Sequence, residues 1–129
     1  MKKKYLIVIA DYYKNISDGL LKSALKFIPK SSRVKIIKVP GVFEIPITIS
    51  KNIKKYDAFI ALGCVIKGQT PHFDFISQAS TNAIMDLTIK SKKPIGNGII
   101  TCLNMKQAKA RKKKGAEAAK AVISILSQK

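Results

Sequence analysis

The sequence predicts an α/β fold, a three-layer αβα sandwich around a four-stranded parallel sheet. Two observations carry this. Apolar runs rich in β-branched residues recur along the chain, and each is followed by a segment whose apolar residues fall at helical spacing. That alternation calls for a parallel sheet with right-handed crossovers and helices on both faces. Ligands of such sheets bind outside the carboxyl ends of the strands.

Tyr5 to Ala10 is a continuous apolar run and reads as a buried first strand. Three lysines precede it, as in a signal peptide, but the run is short and Asp11 interrupts it at once, which favours a strand. Ile16, Leu20, Leu21, Ala24, Leu25 and Ile28 then form one helical face, with Asn15 or Ser17 as cap and Pro29 as stop. Arg33 to Val39 is the second strand, and Pro40-Gly41 turns the chain. A helix is expected from Glu44-Ile45-Pro46, where proline suits the first turn and Glu44 the positive end of the helix dipole. Tyr56 to Val65 is the third strand, residues 66–71 a loop, and His72 to about Ile89 a long helix. Pro94 to Thr101 is the fourth strand. Met105 to about Lys113 and Gly115 to Ser127 read as helices with a break at Gly115. A single domain over 1–129 is expected, with no linker, repeat or low-complexity tract.

Composition narrows the class. The 129 residues carry a formal net charge of +18, yet 47% are hydrophobic, too many for a disordered basic tail. No apolar run reaches the roughly 18 residues of a membrane span. The two cysteines, Cys64 and Cys102, lack metal-ligand spacing, so a reduced cytoplasmic protein without a metal site is expected. The charge points first to nucleic acid. Against that, arginine occurs only at Arg33 and Arg111, the lysines are dispersed, and aromatic residues do not alternate with them. Lysine-rich solvated faces and an anionic small substrate account for the composition as well.

The strand ends hold the candidate chemistry. His72, the only histidine, lies where a glycine-bearing loop meets a helix, and its ordinary pKa suits proton transfer at neutral pH. Taken alone, a surface or capping histidine is the more common case. Lys67-Gly68-Gln69-Thr70 supplies a cation, a hydroxyl and free backbone N–H groups for an anion, without a Walker or GxGxxG pattern. An ordinary β–α loop reads the same way. Tyr12 and Phe43 are placed to stack on a planar heterocycle or to pack at a rim. Glu44 is placed to accept from sugar hydroxyls.

Together these segments resemble one family. Val39-Pro40-Gly41-Val42-Phe43-Glu44-Ile45-Pro46 resembles the VPG-aromatic-EIP signature of the lumazine synthases. Tyr56 to Phe75, which includes Ala61-Leu62-Gly63-Cys64-Val65-Ile66-Lys67-Gly68-Gln69-Thr70-Pro71-His72-Phe73-Asp74, resembles that family's second long block. Lys93 to Thr101, then Gln107-Ala108, Arg111 and Lys114-Gly115-Ala116-Glu117, follow in the family's order, and the likeness covers nearly the whole chain.

The resemblance implies a flavodoxin-like fold and a reaction. 5-Amino-6-(D-ribitylamino)uracil condenses with 3,4-dihydroxy-2-butanone 4-phosphate to 6,7-dimethyl-8-ribityllumazine, the precursor of riboflavin, with loss of phosphate and water and without metal or organic cofactor. It implies sites between neighbouring subunits of a homopentamer. Tyr12 matches the aromatic that stacks on the pyrimidine. Val42, Phe43 and Glu44 match the segment that binds pyrimidine and ribityl chain, and Val65 and Ile66 adjoin it. Lys67, Gln69 and Thr70 match the loop around the phosphate, and His72 the proton-transfer residue. From the adjacent subunit, Asn97 matches a position closing over the pyrimidine. Arg111 matches the main phosphate ligand, and Lys114 and Glu117 match residues near the ribityl chain and histidine.

Three departures stand out. Asp11-Tyr12-Tyr13 replaces the family's usual Arg-Phe-Asn, and Asn97 stands where many members have Phe. The connection from Arg111 to Lys114 is shorter than the family's glycine-rich loop, which leaves Lys112 or Lys113 as alternatives to Lys114. Shell-forming members carry an extra amino-terminal strand and a longer loop, so a free pentamer is expected, with no membrane and no specific nucleic-acid partner.

Overall fold

The computed structural model describes residues 2–68 and 71–128. Strands β1 (Lys4–Ala10), β2 (Arg33–Val39), β3 (Ala58–Ile66) and β4 (Ile95–Cys102) form one sheet in the order β2-β1-β3-β4, every pairing parallel. Helices α1 (Lys14–Leu25), α2 (Ile45–Lys51), α3 (His72–Ser91), α4 (Met105–Ala110) and α5 (Lys114–Leu126) connect and cover it. This is the three-layer sandwich that the alternation predicts, in the flavodoxin-like form that the resemblance implies. Among the described residues no helix is long and apolar enough to cross a membrane.

Period-two alternation divides the core into two layers. Tyr5, Ile7 and Ile9 of β1 and Ile60, Leu62 and Cys64 of β3 face α1, α4 and α5. Leu6, Val8 and Ala10, with Phe59, Ala61 and Val65, face α2 and α3. β1 and β3 are buried on both faces, which is why they read as unbroken apolar runs. Each fully buried Leu or Ile there contributes about 1.5–3 kcal/mol relative to exposure. β2 lies at the edge and buries fully only Val39.

Several boundaries differ from the sequence expectation. The cap of α1 is Tyr13, without a side-chain bond, rather than Asn15 or Ser17. Ser17 is buried instead, and its hydroxyl donates to the carbonyl of Ala10 at 2.6 Å, which ties the helix to the end of β1. α1 stops at Leu25, before Pro29, while Ile28 stays in the core. β3 begins at Ala58 rather than Tyr56, because Asp57 is held at the mouth of β1. Its N–H donates to the carbonyl of Lys4, and its carboxylate accepts from the N–H of Lys4, both at 2.8 Å. Glu44 lies in a 3-10 turn, Val42–Glu44, that precedes α2. The last helices break at Arg111–Lys113 rather than at Gly115, which lies inside α5. A Cβ at Gly115 would collide with the backbone of Leu20, so this glycine permits close approach of α5 to α1.

β1 leaves the sheet toward α1 and β3 leaves it toward α3, on opposite faces. This switch between adjacent strands opens a crevice at their carboxyl ends, the general ligand position of open α/β sheets.

Candidate active site

The crevice is a cleft of about 700 Å³. Tyr12 and Tyr13 follow β1, the 3-10 turn Val42–Glu44 follows β2, Cys64 to Ile66 close β3, and His72 opens α3. Residues far apart in sequence therefore meet because each sits just past the carboxyl end of a strand.

Packing below the cleft fixes the aromatic walls. Val42 is buried and anchors the 3-10 turn, which leaves Phe43 65% exposed above it. Gly63 makes room for that anchor: a Cβ there would sit 2.8 Å from Val42 Cγ2 and 3.2 Å from Ala10 Cβ. Tyr12 is 76% exposed and stacks edge-on against Tyr13, with ring centroids 4.9 Å apart. The carboxylate of Glu44 folds back over Gly41. Its backbone carbonyl accepts from the Thr48 hydroxyl at 2.9 Å, which holds the turn against α2. Exposed aromatic faces beside one carboxylate suit a planar, polyhydroxylated ligand.

Burial governs the ionisation of the cleft floor. Desolvation pushes the Cys64 thiol up to about 12, with nearby Cys102 adding to the effect. Cys64 is therefore a neutral thiol at physiological pH and a poor nucleophile. Burial also raises the Tyr13 phenol, with Tyr12 and Cys64 contributing. His72 is exposed at the first residue of α3 and lines the cleft beside Phe75 and Ile76.

Asn97, Arg111, Lys114 and Glu117 do not join this cleft. They line a second one, of about 720 Å³, with Ile99, Thr101 and Lys113, along β4 at the other edge of the sheet. Among the described residues none lines both clefts. Arg111 Nη1 donates to the carbonyl of Thr101 at 3.3 Å, which holds the guanidinium against the end of β4. Lys114 and Glu117 face each other at 3.8 Å, an exposed pair worth little in stability. Asn97 Oδ1 accepts from the N–H of Ile99, so this side chain caps the open strand edge. Of the alternative lysines, Lys113 and Lys114 reach the cleft, while the stem of Lys112 lies over Gly19 of α1. Arg111, Lys113 and Lys114 outnumber Glu117, so this cleft favours anions.

Lys67 is exposed beyond β3 and lines neither cleft, although its N–H bonds the carbonyl of Cys102 at 2.8 Å. Gln69 and Thr70 lie outside the described residues. Tyr13, at the end of β1, also lines the first cleft, as do Phe75 and Ile76, to which the sequence expectation gives no site role. Phe75 had a legible signal, since it follows His72 by three residues and shares its helix face.

The model of one protein family, 6,7-dimethyl-8-ribityllumazine synthase, matches residues 2–129. Proteins with that name in Bartonella tribocorum and Bartonella henselae are similar to the chain. The first is 43% identical, with 100% of this chain and 93% of the relative covered. The second is 45% identical, with 99% and 89% covered. 6,7-Dimethyl-8-ribityllumazine synthase 1 of Rhodopseudomonas palustris is 41% identical, with 95% and 83% covered.

Proposed function

The chain belongs to the 6,7-dimethyl-8-ribityllumazine synthase family, enzymes of riboflavin biosynthesis, and on that premise we propose how its residues divide the reaction. The substrates are 5-amino-6-(D-ribitylamino)uracil and 3,4-dihydroxy-2-butanone 4-phosphate. The observation that carries the assignment is the convergence of Tyr12, Phe43, Glu44 and His72 in one cleft at the sheet's switch point.

Tyr12 and Phe43 hold the pyrimidine, flanked by Val42, Val65 and Ile66, and Glu44 accepts from the ribityl chain. The pyrimidine amine attacks the ketone carbonyl, and water leaves as the imine forms. Elimination of phosphate and closure of the second ring follow, with a further loss of water. Each step moves protons between nitrogen, carbon and oxygen, and His72 relays them near neutral pH. Holding both reactants in one orientation supplies much of the remaining rate.

The phosphate needs a cationic counterpart, and one cluster of cations sits in the other cleft, at Arg111, Lys113 and Lys114. We assign the complete site to two chains. The aromatic cleft of one subunit faces the cationic cleft of its neighbour, with Lys67 at the junction and Asn97 and Glu117 on the neighbour's side. Phe43, Ile47, Phe75, Met85 and Ile89 are large apolar side chains more than half exposed on α2, α3 and the 3-10 turn. Such a surface supports burial in an assembly, and a homopentamer in the cytoplasm is the proposed form.

Mixing purified protein with both substrates and following the fluorescence of the lumazine product tests the reading. Formation well above the spontaneous rate is expected. A rate equal to the spontaneous one at saturating substrate would refute it.

A further inference from the structure

The cations of this chain are not evenly spread. At the amino-terminal ends of the strands, opposite the catalytic cleft, lies an open depression of about 560 Å³ lined by Lys4, Arg33, Lys35, Lys54, Lys55 and Tyr56. The fold assembles it from three segments. Lys4 and Arg33 are register partners on β1 and β2, and Lys35 projects from the same face of β2 as Arg33. Lys54 and Lys55 sit in the turn after α2, closed by the bond from the N–H of Lys55 to the carbonyl of Asn52 at 3.0 Å. The N–H of Arg33 also bonds the carbonyl of Lys3 at 2.9 Å, which brings the amino-terminal lysines alongside.

All five cations are exposed, and among the described residues none of them is in an ion pair. Asp57 adjoins the depression, with Oδ2 engaged by the backbone N–H of Lys4. Like charges collected in one concavity repel one another, and a ligand with several negative charges on a short spine relieves that repulsion. Ammonium groups serve as point charges for phosphate, and the Arg33 guanidinium offers a bidentate fork. The volume is that of a small-ligand pocket. One arginine and one aromatic residue make neither a base-reading surface nor a stacking series for a nucleic-acid strand.

We propose that this depression is a second binding site, for a small polyphosphate. It lies about 20 Å, the length of β1, from the catalytic cleft. Calorimetric titration at about 0.1 M salt with inorganic tripolyphosphate, and separately with ATP, tests it. Tripolyphosphate is expected to bind, with ATP equal if the phosphates alone are read and tighter if the nucleoside is also held. The triple variant Lys35→Gln, Lys54→Gln, Lys55→Gln is expected to bind at least 10-fold more weakly. A control that removes equal charge elsewhere, Lys22→Gln, Lys26→Gln, Lys106→Gln, should stay within about twofold. If the first triple variant lacks a cooperative melt, Lys54→Gln alone, in the exposed turn, should weaken binding about threefold.

Absence of binding to the native protein, or equal loss in both triple variants, overturns the proposal. So does loss of binding in Arg111→Ala, which would place the ligand in the cationic cleft instead. A single-stranded oligonucleotide that binds a hundredfold more tightly than tripolyphosphate also overturns it. The kcat of lumazine synthesis by the triple variants is expected to be unchanged, so this outcome and that of the synthase assay are independent.

Discussion

His72 opens α3 at the rim of the aromatic cleft, and its proposed proton transfer is open to measurement. Replacement by alanine is expected to lower kcat by about 10-fold or more, since a general acid–base group typically supplies ~10²–10⁴. A smaller loss, with KM raised, would show that the ring orients substrate instead. Arg111→Ala should raise KM for the phosphate substrate more than for the uracil, because a bidentate phosphate contact acts on only one of the two. Gly63→Ala forces a methyl group against Val42, which displaces the turn that presents Phe43 and Glu44. A loss of about 1–3 kcal/mol in denaturant unfolding is expected, with a raised KM for the uracil. Burial raises the pKa values of Cys64, Tyr5 and Tyr13, which makes all three weaker acids, with Cys64 reaching about 12. The unfolded chain ionises these groups at lower pH than the folded one. The stability they contribute is complete below about pH 9 and is lost as pH rises toward 12. Unfolding midpoints followed across that range should fall, and Cys64→Ala should flatten the slope. At this scale the sequence was informative where a polar or aromatic residue follows a strand, as at Tyr12, Glu44 and His72. It was silent on Gly63, whose purpose depends on Val42 packing against it from a distant part of the chain.

The elements were legible wherever their own pattern determined them. Strands β1 and β3 are buried on both faces and announce themselves as continuous apolar runs. The helix ends were less legible because competing contacts decide them. Ser17 has the chemistry of a cap, but its hydroxyl satisfies the carbonyl of Ala10 inside the core. Gly115 has the local character of a breaker, yet it lies within α5 because the neighbouring helix leaves no space for a side chain. The break falls instead at Arg111–Lys113, which turns Arg111 toward Thr101. Gly115→Ala is therefore expected to destabilise the α1–α5 contact by about 1–3 kcal/mol, despite alanine's better helix propensity. A gain in the denaturation midpoint would contradict the packing role.

For the whole molecule, the alternation of strands and helices predicted the parallel sheet. The resemblance of two long motifs predicted the family. In a single chain the two clefts of the proposed site stand apart, the aromatic one at the β1–β3 crevice and the cationic one along β4. A net charge of +18 attracts an anionic substrate, so kcat/KM should fall as ionic strength rises while kcat stays nearly constant. The division between chains has a direct test in subunit mixing. Under that proposal, at phosphate-substrate concentrations well below the raised KM of Arg111→Ala, His72→Ala and Arg111→Ala each impair every site of a uniform assembly, but in opposite halves. Co-assembly at equal amounts leaves about a quarter of the interfaces with both halves native, if neighbours associate at random around a closed ring. Activity of the co-assembled protein near a quarter of native, well above either parent, is the predicted result. Activity no higher than the mean of the two parents would contradict a site shared between subunits.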